Sequence, residues 1–165
     1  MKNTLEFTRQ ITPWIVGALF VASAIAKASS AGPTEFVLDY VFVTRLHLSA
    51  LAPAVEPFVW LLVTFEIILG GWLLSGIAPI RARRVAILTL SAFTLFLVAL
   101  TLDPAAPPCS CGGWIRLAAD ARTENLISFG KDLVLLAALF AAGDGARPSS
   151  NSIASELSSS PPPAA

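Results

Sequence analysis

Charge is scarce in this sequence of 165 residues: 13% are Asp, Glu, Lys or Arg, while 55% are apolar. A soluble domain carries about 25% charged residues. The deficit, with a mean hydropathy of +0.73, makes lipid the expected solvent. The charges that remain cancel, eleven basic against eleven acidic, which excludes the electrostatic footprint of a nucleic-acid binder. Histidine occurs only as His47, so histidine catalysis is unadvertised. A phosphate loop, a dinucleotide fingerprint, a zinc motif and a Ser/His/Asp arrangement are all missing. Cysteine is nearly absent too: Cys109 and Cys111 are the only two, too few for a secreted disulfide framework.

What is abundant is the long apolar run. A bilayer core takes about 20 apolar residues per helix, and four stretches qualify: 11–31, 57–75, 85–102 and 126–142. None alternates as a barrel strand would. The sequence therefore predicts an all-α integral membrane protein, a four-helix transmembrane bundle over 11–142. It lies between a short N-terminus (1–10) and a tail (143–165) too rich in Ser, Pro, Ala and Gly to pack, hence disordered.

Basic residues are retained on the cytoplasmic side. Lys2, Arg9, Arg81, Arg83, Arg84 and Arg147 fall on one face, Arg45, Arg116 and Arg122 on the other. The bias puts both termini in the cytoplasm of a multi-pass inner (plasma) membrane protein. Trp14 and Trp72 are then expected at the inner interface and Trp60 at the outer one. Lys2 and Arg9 ahead of an apolar run, with Ala22-Ser23-Ala24 or Ala26-Lys27-Ala28 as a cleavage site, also read as a secretory signal. Cleavage there would leave an odd number of spans.

The outer loop 32–56 is partly apolar, with Phe36, Tyr40, Val41 and Leu48 at loosely helical spacing, and is expected to lie on the membrane surface or cap the bundle. Gly17, Gly70, Gly71, Gly76, Ala22, Ser23 and Ala26 are small residues that let helices approach. The second outer loop, 103–125, opens with prolines that stop the third helix and carries the cysteines beside Gly112 and Gly113. Trp114, Arg116 and Arg122 there read as interfacial anchors or a docking surface for a soluble partner.

An ionised side chain in mid-bilayer costs about 2.5 to 3.5 kcal/mol on insertion scales, so each asks for a partner or a purpose. Lys27 lies near the outer end of the first span, Glu66 at the centre of the second, and Lys131 and Asp132 in the outer part of the fourth. Helix directions put all of them in the half beneath the cysteines. One reading is a self-neutralising cluster of Lys27, Glu66 and Asp132, with Lys131 as a fourth member, forming a hydrated floor. The other is that Lys27 and Lys131 snorkel to the headgroups and Glu66 alone is buried.

Cys109-Ser110-Cys111 has three physical readings. In an oxidising compartment the thiols would cycle as a disulfide, exchanging with a partner through a mixed disulfide. Two soft thiolates could instead hold copper, although no Met or His cluster adjoins them. The third reading is two unreacted thiols.

These features together resemble the MauE/DoxX group of small four-helix membrane proteins, and within it the MauE type. The likeness rests on Ala24-Ile25-Ala26-Lys27, on Phe65 to Leu74 (FEIILGGWLL), on Cys109-Ser110-Cys111-Gly112-Gly113 and on Gly130 to Leu136 (GKDLVLL). MauE-like proteins usually show Cys-Gly-Cys-Phe-Gly; here Ser replaces the first Gly and Gly replaces Phe, which touches substrate identity rather than the cysteine spacing. The resemblance implies a part in maturing methylamine dehydrogenase, whose small subunit carries many disulfides, by exchange with a periplasmic thioredoxin-like partner. On this reading Cys109 and Cys111 are catalytic, in a thiol-disulfide oxidoreductase component supported by Lys27, Glu66, Lys131 and Asp132, with no metal and no nucleic acid. Two rivals stand beside it: a quinone-coupled oxidoreductase subunit, whose cofactor would be a quinone, and a non-catalytic assembly subunit.

Overall fold

The computed structural model describes residues 2–109 and 120–143, with side chains from residue 11 onward. Cys111, Gly112, Gly113, Trp114, Arg116, Arg147 and the tail from residue 144 lie outside the described residues. Every regular element described is helical: α1 (Lys2–Ser29), α2 (Gly32–Asp39), a π-helical turn (Tyr40–Arg45), a 3₁₀ segment (Ser49–Ala54), α3 (Val55–Ser75), α4 (Pro79–Leu102) and α5 (Ala121–Ala141). The most extensive packing is α1 on α3 and α4 on α5, and contacts of α3 with α4 and of α1 with α5 join the two pairs.

Among the described residues, three helical stretches are long and apolar enough to cross a membrane: Ile11–Ser29, Ser49–Ser75 and Pro79–Leu102. Helix α5 falls short of that standard because Arg122, Glu124, Lys131 and Asp132 interrupt it. Local chemistry sets helix ends that hydropathy misses. The carboxylate of Asp120 accepts the Thr123 N–H at 2.9 Å, an N-cap that starts α5 at Ala121 rather than near 126. Pro79 in the first turn starts α4 ahead of the apolar run at 85. Helix α3 stops where Gly76 takes a φ of +66°, the left-handed conformation that glycine adopts without penalty.

The α1–α3 contact depends on two glycines. A Cβ on Gly70 would lie 2.7 Å from the Gly17 carbonyl oxygen and 2.8 Å from a Val21 methyl, whereas a Cβ on Gly71 would meet nothing within 4 Å. Gly17 and Gly70 are therefore the close-approach pair; Gly71 faces open space and Gly76 serves the turn.

The loop expected over 32–56 folds back onto the helices. Leu38 packs with Ala24, Val55, Val59 and Val63, and Val37 with Leu97, Leu100 and Cys109. Phe36 and Leu48 are exposed. The inward face of α2 is thus Val37 and Leu38, which the loose spacing in the sequence did not single out.

Candidate functional site

The site begins with two turns of α1. Ser23 and Lys27 are four residues apart and share a face, and the Lys27 ammonium donates to the Ser23 hydroxyl at 2.8 Å. It also donates to both carboxylate oxygens of Glu66 on α3, at 2.7 and 2.8 Å. The two side chains are 6% and 1% exposed, so Lys27 does not snorkel. Burying either charge alone would be prohibitive; bonded to each other, they are tolerated. The ring of Phe93 on α4 adds a cation–π contact, its centroid 5.9 Å from the ammonium.

Helix α5 brings the other two charges. Asp132 is buried, and the charges of Lys131, Lys27 and Glu66 all act on it. The nearest cation is Lys131, with Nζ 3.9 Å from the carboxylate and a side chain 45% exposed. Lys27 and Glu66 are thus bonded to each other, while the ion-pair contact of Asp132 among the described residues is the half-exposed Lys131.

Cys109 follows α4 and is buried and disulfide-bonded. The sequence has one other cysteine, Cys111. The backbone of Cys109 is pinned by a residue that the sequence did not flag: the N–H of Cys109 donates to Oδ1 of Asn125, and the Asn125 amide donates to the Pro107 carbonyl at 3.3 Å. Asn125 is 1% exposed on α5, so one amide holds both sides of the turn into the cysteines. Hydropathy counts Asn125 as merely polar; its position just before an apolar run was the available signal.

A second missed group ties the two loops together. Asp103, which ends α4, accepts the Tyr40 hydroxyl at 2.7 Å and pairs with the Arg45 Nε at 2.6 Å. It also accepts the Ala105 N–H at 3.1 Å. The hydrogen bond from Tyr40 holds the Asp103 carboxyl below the usual carboxylate range, and Arg45 helps. The same bond pushes the Tyr40 phenol upward. Segment 40–54 and the start of the cysteine loop therefore share one end of the molecule.

Between these groups lies a cavity of about 620 Å³. Lys27, Glu66, Lys131, Asp132 and Cys109 all line it, and the rest of the wall is almost wholly aliphatic and phenylalanine, from α1, α2, α3, α4 and α5. The geometry thus brings four charged residues and the disulfide-bonded Cys109 around one largely apolar space. Among the described residues, no group of three or more His, Cys, Asp or Glu could hold a metal ion.

Residues 5–143 match the family model of methylamine utilisation protein MauE. No curated protein and no solved structure matches the chain.

Proposed function

The chain belongs to the family of methylamine utilisation protein MauE, and from that premise we propose that it is a four-span membrane protein exchanging disulfides with an extracytoplasmic thioredoxin-like partner. In this reading the exchange serves the maturation of methylamine dehydrogenase. The observation that carries it is Cys109, disulfide-bonded and buried while its backbone is held by Asn125. A sulfur so enclosed cannot meet a soluble protein, so Cys111 takes the partner's attack and Cys109 leaves as the thiolate. The partner's second thiol then attacks its own sulfur of the mixed disulfide, Cys111 leaves as the thiolate, and the partner departs oxidised while Cys109 and Cys111 are both left reduced.

A fourth crossing is supported by the way α5 is turned. Four of its polar residues, Glu124, Asn125, Ser128 and Asp132, are buried, whereas Leu126, Ile127, Leu133, Val134 and Phe140 are exposed. Such a helix suits lipid outside and a polar interior. Four crossings put both termini on one side, and the basic cluster Arg81, Arg83 and Arg84 favours the cytoplasm for the α3–α4 turn.

The test is trapping with a thioredoxin whose resolving cysteine is replaced by serine, added to the oxidised protein in detergent. Peptide mapping should find the mixed disulfide at Cys111. A mixed disulfide at Cys109 would reverse the assignment of the two sulfurs; no mixed disulfide at either would remove the exchange function.

A further inference from the structure

The exchange reading leaves an electron account open. Each turn that oxidises a partner reduces Cys109 and Cys111 to thiols, and two electrons with two protons must then leave. The side of the pair that faces inward is Cys109, which lines the 620 Å³ cavity. That volume lies in the range of small-molecule sites, about 300 to 1,000 Å³. Its walls, with Phe20, Leu38, Phe42 and Phe96 among them, would exclude a water-soluble carrier. Two of the residues that line it, Leu19 and Phe58, are also 44% and 42% exposed on the apolar outer surface, so its wall reaches the side on which an apolar ligand would arrive from lipid.

The cavity also holds polar groups that internal bonding does not use up. Thr34 lines it with a buried Oγ1 that has no hydrogen-bond partner among the described residues. A buried hydroxyl left unpaired is unfavourable by itself and asks for a bound acceptor or donor. The Asp132 carboxylate, also on the wall, has Lys131 at 3.9 Å as its one ion-pair contact among the described residues. The occupant should therefore be apolar over most of its surface, bear oxygen atoms at one end, enter from lipid, and carry two electrons and two protons.

We propose that the cavity beneath Cys109 binds a membrane quinone, which reoxidises the cysteine pair. The inference rests on the exchange reading above. The two S–H bonds break and an S–S bond forms, while the two carbonyl oxygens of the quinone become the hydroxyls of the quinol. The two thiol protons balance the two that the quinone takes up, with Asp132 and Glu66 carrying them between sulfur and oxygen. Thr34 donates to a quinone oxygen. The Lys27 ammonium, held by Ser23 and Glu66, offsets the negative charge that arrives on the ring oxygens.

The experiment uses the full-length protein in detergent, its thiols reduced under argon, with decyl-ubiquinone and a short-chain menaquinone as probes. Calorimetry reads binding, ultraviolet absorbance reads quinol formation, and maleimide labelling counts thiols. One quinone reduced per two thiols lost is the expected result. Thr34→Val should weaken quinone binding about two- to tenfold, the worth of one neutral hydrogen bond, while its melting temperature stays equal or rises, because no internal bond is lost. A reduced protein that neither binds nor reduces either quinone, yet still exchanges with thioredoxin, overturns the quinone site and leaves the exchange function standing. Quinone reduction without any thioredoxin exchange does the reverse. Unchanged binding in Thr34→Val removes Thr34 from the site, and an unreduced quinone bound beside intact thiols removes the electron transfer.

Discussion

Lys27 and Glu66 were legible as anomalies because a charge in an apolar run is expensive, and the structure explains how each is accommodated: the ammonium is bonded to both carboxylate oxygens of Glu66. Removing one partner strands the other. Lys27→Met should therefore destabilise the protein by about 3 to 5 kcal/mol, whereas Lys27→Met with Glu66→Leu should be near neutral. Denaturation in detergent would distinguish them, and equal losses in the two would refute the pair as the reason. If the carboxylate carries protons, the stable double variant should also turn over about a hundredfold more slowly. Asn125, Tyr40 and Asp103 were not legible, since a polar residue at a helix end is no anomaly. Their importance lies in partners 16 and 63 residues away, and separation along the chain hides such bonds. Asp103 supplies a pH prediction. Its carboxyl is held down chiefly by the hydrogen bond from Tyr40, so its stabilising contribution is present above the ordinary carboxylate range and is lost only as pH falls through the depressed value. Tyr40→Phe removes that donor and should shift the acid release of the Ala105 amide to higher pH. Hydrogen exchange at Ala105 from neutral pH downward would show it; an unmoved profile would mean that Arg45 alone holds the carboxylate.

At the scale of helices, hydropathy located all four long elements but placed their polar first turns outside them. Capping by Asp120 and a proline at the start of α4 are local signals, readable in principle, that a lipid-transfer argument passes over. The glycines show the opposite limit. Gly70 and Gly71 are adjacent and chemically identical in the sequence, and only the helix phase decides which meets α1. A methyl at Gly70 would collide with backbone at Gly17, whereas a methyl at Gly71 meets nothing. Gly70→Ala should thus destabilise by about 1 to 3 kcal/mol through forced separation of α1 and α3, while Gly71→Ala should be neutral or stabilising by up to about 1 kcal/mol from helix propensity. Thermal unfolding of the two variants in the same detergent checks the phase, and an equal effect would mean that α1 and α3 meet on another face.

At the scale of the molecule, charges lie within a mainly apolar core while large apolar side chains stand on the outside. The buried set includes Lys27, Glu66, Glu124, Asn125 and Asp132, while Trp14, Leu61, Ile68, Leu88, Leu95 and Val134 stand exposed. A monomer in water rarely shows an apolar patch larger than a few hundred Å², whereas in lipid this arrangement is the favourable one, since bulk solvent no longer competes for the interior charges. Orientation then decides whether the cysteines can meet a periplasmic protein at all. The Arg45–Asp103 pair ties segment 40–54 to the cysteine loop, so a reporter in one reports on the end that holds both. In a variant with Cys109 and Cys111 both replaced by serine, Leu51→Cys should react with a membrane-impermeant maleimide in intact cells. Ile77→Cys, exposed in the α3–α4 turn, should react only after permeabilisation. The reverse pattern would put the cysteine pair in the reducing cytoplasm, where a stable disulfide is disfavoured, and both the exchange partner and the quinone outlet would lose their basis.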